Sequence, residues 1–145
     1  MCNLVFLSTD SPEDLATNSS EDLHLTFTKA THEDLQQIHR NLAHENVWFL
    51  SHFGGCSCHF RHVIAGNVQF DFRDPQDWDD EEEDDIQATV AVYKVIKGLV
   101  ENGFSVDIID FDNEPPEEFI ELEVDLGQVP QSAFRFFENY RFNFR

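Results

Sequence analysis

The segment VWFLSHFGGCSCHFRHV, residues 47–63, carries the strongest local folding signal in the chain. Strand-like segments, in which successive side chains point to opposite faces, flank Gly54 and Gly55 on both sides. Two glycines tolerate the positive φ angles that a two-residue turn requires. The segment therefore predicts a β-hairpin with strands over residues 47–53 and 56–63. In the register that this turn sets, one face carries Cys56, Cys58 and His62.

Patterns on both sides of this segment predict an α+β fold. Strands are predicted over residues 3–9, 23–28, 104–111, 118–126 and 140–145. Thr31 begins one main helix, with Asp34 three residues later as in a capping box, and a second helix is predicted over about 84–102. We therefore expect a mixed or antiparallel sheet with two main helices.

The order of elements between residues 23 and 111 is strand, helix, strand, strand, helix, strand. That order resembles the ferredoxin-like split βαβ arrangement, here with extra terminal strands. A likeness to such a widely used fold implies nothing about function.

Size and composition favour one folded domain over residues 1–145. The chain is 41% hydrophobic and contains 15 Phe residues, which is enough to build a core. No Gly/Ser/Pro-rich linker divides it. Residues 74–85 are strongly acidic, and we expect them to form a solvated loop.

The chain carries 29 acidic and 9 basic residues, for a formal net charge of −20. Nucleic acids and anionic membrane surfaces would repel such a protein, so neither is expected as a partner. No apolar run approaches the roughly 20 residues of a membrane-spanning helix. Three cysteines are too few for a disulfide scaffold, and a reducing cytoplasm is therefore the expected location.

The chemistry of the hairpin suggests a soft-metal site. Thiolates and imidazoles are the ligands that zinc and copper(I) prefer. Cys56 and Cys58 lie on one face of the expected hairpin, and His59 and His62 follow them closely. Cys2, at the start of another strand, could supply a third thiolate. These five residues are the candidate metal ligands, and zinc is the candidate ion.

Two other interpretations of the cysteines stay open at this point. Free cysteines often pack as small hydrophobic residues, and here they alternate with Phe and Val. They could also serve a redox role, although two residues separated by one in an extended strand lie near the upper limit of disulfide geometry. We find no complete metalloprotease, nucleotide-binding or serine-hydrolase motif, so a binding protein is expected rather than an enzyme.

The acidic half of the chain suggests a second function, that of a decoy or neutraliser of a basic protein. Its candidate contact residues are the alternating Glu121, Glu123 and Asp125, together with Asp80 and Glu82. The competing explanation is internal: a strand over 140–145 would pair beside the acidic strand and set Arg141 and Arg145 against its carboxylates.

Overall fold

The computed structural model describes residues 2–53, 55–63, 72–76 and 81–145. The described residues form eight strands and two α-helices: β1 (Asn3–Thr9), β2 (Leu25–Lys29), α1 (His32–Ile38), β3 (Asn46–His52), β4 (His62–Val63), α2 (Glu83–Glu101), β5 (Val106–Asp112), β6 (Ile120–Val124), β7 (Phe136–Phe137) and β8 (Tyr140–Phe144). Two short 3₁₀ helices lie at Leu15–Asn18 and Leu126–Gln128.

Six of these strands form one mixed sheet in the order β2-β3-β1-β5-β8-β6. The pair β6–β8 is parallel and the other pairs are antiparallel. A separate parallel pair joins β4 to β7. The expected α+β class, mixed sheet and two helices are confirmed. The ferredoxin-like core is not confirmed, because β1 lies between β3 and β5.

The hairpin predicted over residues 47–63 is wrong. Strand β3 pairs with β1 along one edge and with β2 along the other, so neither edge is left for the segment that follows. Residues 55–60 instead form bends and turns, and β4 pairs with β7. The positive φ angle belongs to Phe53, at 62°, and not to Gly55. Gly54 lies outside the described residues.

Helix α1 begins with the reciprocal cap that its sequence predicts. The Asp34 N–H donates to Thr31 Oγ1 over 3.1 Å, and the Thr31 N–H donates to Asp34 Oδ2 over 3.0 Å. Helix α2 begins with Glu83, Asp84 and Asp85, which favour the positive end of the helix dipole. Only part of the acidic loop expected over 74–85 is therefore irregular: residues 83–85 are helical, and 77–80 lie outside the described residues.

Both faces of the six-stranded sheet are covered. On one face, α2 and the β4–β7 pair close a core in which Val92, Ile96 and Phe136 are fully buried. On the other face, Ile38 of α1 and the following Leu42 pack against Phe6, Ile109 and Phe111. Most buried strand residues are thus apolar, and the buried polar ones, among them Asp107 and Asp110, need partners of their own.

One buried cation ties several segments together. The Arg61 side chain is 1% exposed and forms an ion pair of 2.8 Å with Glu81. Its guanidinium also donates to the carbonyl oxygens of Ser132 and Phe134, over 2.8 and 3.2 Å, and of Arg73, over 3.1 Å. Because a buried charge is tolerated only when it is paired and hydrogen-bonded, these contacts fix the end of the loop that follows β3.

Candidate metal centre

Three cysteines from two distant segments meet at one end of β1. Cys2 directly precedes β1, whereas Cys56 and Cys58 lie in the turns that follow β3. The three Sγ atoms all lie within 4.8 Å of one another, and those of Cys56 and Cys58 are 3.1 Å apart. All three residues are half-buried free cysteines. This three-cysteine cluster could hold a metal ion.

Strand β1 and Ser57 fix the position of the loop. The Ser57 N–H donates to the Asn3 carbonyl over 2.9 Å, and the Asn3 N–H donates to Cys58 Sγ over 3.2 Å. The Ser57 hydroxyl accepts from the Val5 N–H over 2.9 Å and donates to the Leu50 carbonyl. Ser57 is fully buried. The residue between the two cysteines therefore locks them against two strands.

Cys2 is held by the residue that follows β5. The Cys2 N–H donates to Asn113 Oδ1 over 3.2 Å, and the Asn113 N–H donates to the Cys2 carbonyl over 2.9 Å. Asn113 has a φ of 58°, in the left-handed region that Asn tolerates better than most residues. The contact fixes the end of β1 and, with it, the third thiol.

His62 lies beside the cluster, but both of its ring nitrogens are engaged elsewhere. Nδ1 lies 2.7 Å from Asp110 Oδ2, and Nε2 contacts the Ser57 carbonyl oxygen. A carbonyl only accepts, so Nε2 carries a proton, and Nδ1 faces a carboxylate. Burial alone would lower the pKa of His62, but the Asp110 charge and hydrogen bond raise it. Both ring nitrogens of His62 are thus taken up by other groups, and the structure does not bring His62 into the cluster that could share one ion.

His59 is also outside the cluster. Its side chain is exposed, and its ring meets Phe53 edge-on at 5.7 Å between centroids. Among the described residues, no His, Asp or Glu joins the three sulfurs closely enough to share one ion with them. The supporting residues Ser57, Asp110 and Asn113 were missed, because their roles depend on strand pairing that no local pattern reveals.

The surroundings shift the pKa values of the Cys56 and Cys58 thiols in opposite directions. Burial opposes ionisation of Cys56, but hydrogen bonds with Cys58 and Cys2 and the charge of His62 lower the pKa of its thiol. Burial and the hydrogen bond with Cys56 raise the pKa of Cys58 to about 12, against the donated Asn3 N–H. A thiolate is the nucleophile and the metal ligand, so Cys56 is the more reactive sulfur of the two.

The acidic row, defined as Glu121, Glu123 and Asp125, is occupied within the chain. Arg141 Nη1 lies 2.6 Å from Glu121 Oε1, and Arg145 Nη1 lies 3.5 Å from Glu123 Oε2. Asp125 accepts from the N–H of residue 127 over 2.9 Å and so caps the second 3₁₀ helix. The predicted pairing of the last strand beside the acidic strand is confirmed.

The other two residues expected to contact a basic partner lie apart from this row. Glu82 is exposed and directly precedes α2, while Asp80 is outside the described residues. The contact of all five with a partner stays a prediction.

The comparisons with known proteins add no name to this site. In the part of the chain that the structure describes, no helix has both the length and the apolar character needed to cross a membrane. No family model, no curated protein and no solved structure matches the chain. Any function must therefore be argued from the three-cysteine cluster and its surroundings.

Proposed function

We propose that the protein binds one soft metal ion, zinc in the first instance, through the thiolates of Cys2, Cys56 and Cys58. One observation carries the proposal: the three Sγ atoms lie within 4.8 Å of one another. Zinc–sulfur bonds are about 2.3 Å long, so sulfurs on one tetrahedral zinc ion lie about 3.8 Å apart. Small side-chain rotations bring the cluster to that spacing.

The surroundings support negative charge at the cluster. Zinc with three thiolates carries a net charge of −1, which is costly to bury without nearby positive charge or hydrogen-bond donors. The His62 imidazolium lowers the pKa of Cys56 by its charge, and the Asn3 N–H donates to Cys58 Sγ. Contacts of this outer kind orient ligands and strengthen metal binding.

Three protein ligands leave the fourth position of a zinc ion for water or another small ligand. Structural zinc sites usually have four protein ligands, so this cluster differs from a closed structural site. Copper(I) is the alternative soft ion for a thiolate set. The ligands must stay reduced, which agrees with the cytoplasmic location expected from the cysteine count.

The test is metal binding by the reduced, metal-free protein. Zinc is titrated in competition with a chromophoric chelator, and cobalt(II) is used as a spectroscopic substitute. We expect one ion per chain, sulfur-to-cobalt charge-transfer absorption, and loss of at least about 100-fold in affinity for each of Cys2→Ser, Cys56→Ser and Cys58→Ser. The bound is conservative, because even residues behind the ligands cost 10–100-fold.

His59→Ala is the matched control, since His59 is exposed and lies outside the cluster. It should bind zinc as the wild type does. A chain with 29 acidic residues can also hold zinc weakly on its surface. Equal zinc affinity in the wild type and in the triple Ser variant would overturn the proposal.

The basic partner expected from the acidic half stays a prediction. Arg141 and Arg145 already lie opposite Glu121 and Glu123, so the acidic row does not call for an external cation. We therefore put forward no second function on that surface.

A further inference from the structure

We propose that Cys56 and Cys58 are also a hydroperoxide-reactive pair, which closes to an intramolecular disulfide and thereby expels the metal ion. The disulfide follows from the geometry of the pair itself. The expulsion of metal rests on the proposed function, and the experiment below separates the two.

The distance between the sulfurs is the first argument. Cys56 Sγ and Cys58 Sγ lie 3.1 Å apart, and a disulfide bond is about 2.05 Å long. An approach of about 1 Å therefore closes the bond. Residues separated by one in an extended strand have Cα atoms about 6.8 Å apart, at the limit of disulfide geometry. The turns at residues 55–60 replace that extended strand.

The anchoring of Ser57 is the second argument. Its N–H and hydroxyl bond to β1 and β3, and its carbonyl accepts from His62. The backbone between the two cysteines is therefore held from three sides, and both side chains emerge toward the same point. A pair that is held in this way closes without refolding of the loop, since only side-chain torsions must change.

The reaction balances with a hydroperoxide as oxidant. The Cys56 thiolate attacks one peroxide oxygen, the O–O bond breaks, and hydroxide or alkoxide leaves with Cys56 now a sulfenic acid. Cys58 then attacks the Cys56 sulfur; the S–S bond forms, the S–O bond breaks, and the Cys58 proton leaves with the oxygen as water. The two cysteines lose two electrons in total, and the peroxide gains them.

Closure removes two of the three proposed metal ligands. A disulfide sulfur is not a thiolate, so Cys2 alone is left to hold the ion. A bound metal ion in turn slows the reaction of the thiolates with peroxide without preventing it, since each metal–sulfur bond uses one lone pair of its sulfur and leaves others. Metal occupancy and oxidation state therefore control each other at one site.

The test uses hydrogen peroxide on the reduced, metal-free chain. We expect two of the three thiols to be lost and the mass of the chain to fall by two hydrogens. After digestion, the peptide that contains both Cys56 and Cys58 should carry that mass loss. Dithiothreitol should restore all three thiols. The double variant Cys2→Ser/Cys58→Ser, which lacks both neighbouring thiols, should stop at a sulfenic acid on Cys56, which dimedone traps. Circular dichroism before oxidation checks that each variant is folded.

Cys2→Ser separates the two proposals. It should form the disulfide as the wild type does, even though it binds zinc poorly. In the wild type loaded with zinc, peroxide should release one zinc ion per disulfide, as a chromophoric chelator reports. Disulfides that contain Cys2, links between two chains, or sulfinic acid without any disulfide would each overturn the inference. Zinc binding that survives full disulfide formation would overturn the link to metal alone.

Discussion

The acidic row on β6 and the three-cysteine cluster both gather groups that tend to repel one another once ionised. Across the acidic row, β8 supplies Arg141 opposite Glu121, and Arg145, the residue after β8, lies near Glu123. The chain thus supplies its own cations to two of the three carboxylates in the row. Most of that pairing is exposed, and exposed pairs contribute little to stability.

The cysteine cluster is arranged differently. Bonds made by Ser57, Asn3 and Asn113 fix the positions of the sulfurs, and the Asn3 N–H donates directly to Cys58 Sγ, but the three thiols stay within 4.8 Å of one another. A cluster that the chain itself neutralises offers little to an external ion. Three thiols that the chain holds close together can instead bind a soft metal ion. The comparison therefore favours the cysteines over the acidic row for the function proposed above.

The largest effect should come from the metal itself. At a free zinc concentration about a thousand times the dissociation constant, zinc should raise the free energy of unfolding by about 4 kcal/mol. Cys2→Ser should gain much less at the same zinc concentration, because its site has lost a ligand. Urea unfolding with and without zinc measures both. Equal stabilisation of the two proteins would mean that zinc acts elsewhere.

Replacement of the two arginines beside the acidic row should lower the free energy of unfolding strongly at Arg141 and weakly at Arg145. Arg141 Nη2 lies 2.9 Å from Asp107 Oδ2, and Asp107 is fully buried. Breaking such a pair leaves a buried charge, so Arg141→Met should cost about 3 kcal/mol. Arg145→Met, on a pair whose side chains are 69% and 68% exposed, should cost less than about 1 kcal/mol. Similar losses in urea unfolding would contradict this distinction.

The raised pKa of the buried His62 predicts that stability depends on pH. The pKa of His62 is raised above its ordinary value of 6.5 in the folded chain. Its contribution to stability is therefore full below pH 6.5 and is lost as the pH rises through the folded-state pKa. The stability difference between the wild type and His62→Gln, measured without metal, should shrink over that interval. A difference that grows with pH would show that His62 is neutral.

The smallest effect is expected beside the cysteines, at Gly55. Nothing lies within 4 Å of a Cβ built there, and its φ is outside the left-handed region. Gly55→Ala should change the free energy of unfolding by less than about 0.5 kcal/mol and leave zinc binding intact. Gly103→Ala is the contrast: with φ of 87° it should cost about 1 kcal/mol or more. Thermal unfolding of both variants decides the matter.

Elements with strong local signals were predictable from the sequence. The strand over residues 3–9, the cap formed by Thr31 and Asp34, and the long second helix all follow from residue type and spacing. The pairing of β6 with β8 was also predictable, because one outer face is acidic and the other basic. In each case the element is determined by a few neighbouring residues, or the pairing is determined by opposite charges on the two strands.

The hairpin prediction was wrong because several strands compete to pair with β3, and a local sequence pattern does not show which of them pairs. The segment around Gly54 and Gly55 fits a turn, but β1 and β2 take both edges of β3. For a similar reason, the structure does not bring the two histidines proposed as ligands into the three-cysteine cluster. His62 is committed to Asp110, on a strand 48 residues away. The three cysteines do come together as the sequence suggested, and their role as metal ligands stays a prediction.

The position of β1 at the centre of the sheet has a consequence for the order of assembly. β1 precedes the other described strands in the chain but completes its pairing only when β5 is available. Contacts between residues so far apart in sequence form slowly, since the loop between them must first close. During synthesis, β1 must therefore wait for β5 before its second edge is paired.

All three cysteines and Ser57 are synthesised before that neighbour. Residues 2–58 already contain the bonds from Asn3 to Ser57 and to Cys58, whereas Asp110 and Asn113 come about fifty residues later, roughly 3–10 s at ordinary translation rates. A metal ion that binds the nascent cysteines would close a long loop early and hold β1 near β3. In that role the ion would link β1 to the segment after β3 during folding, before the fold is complete.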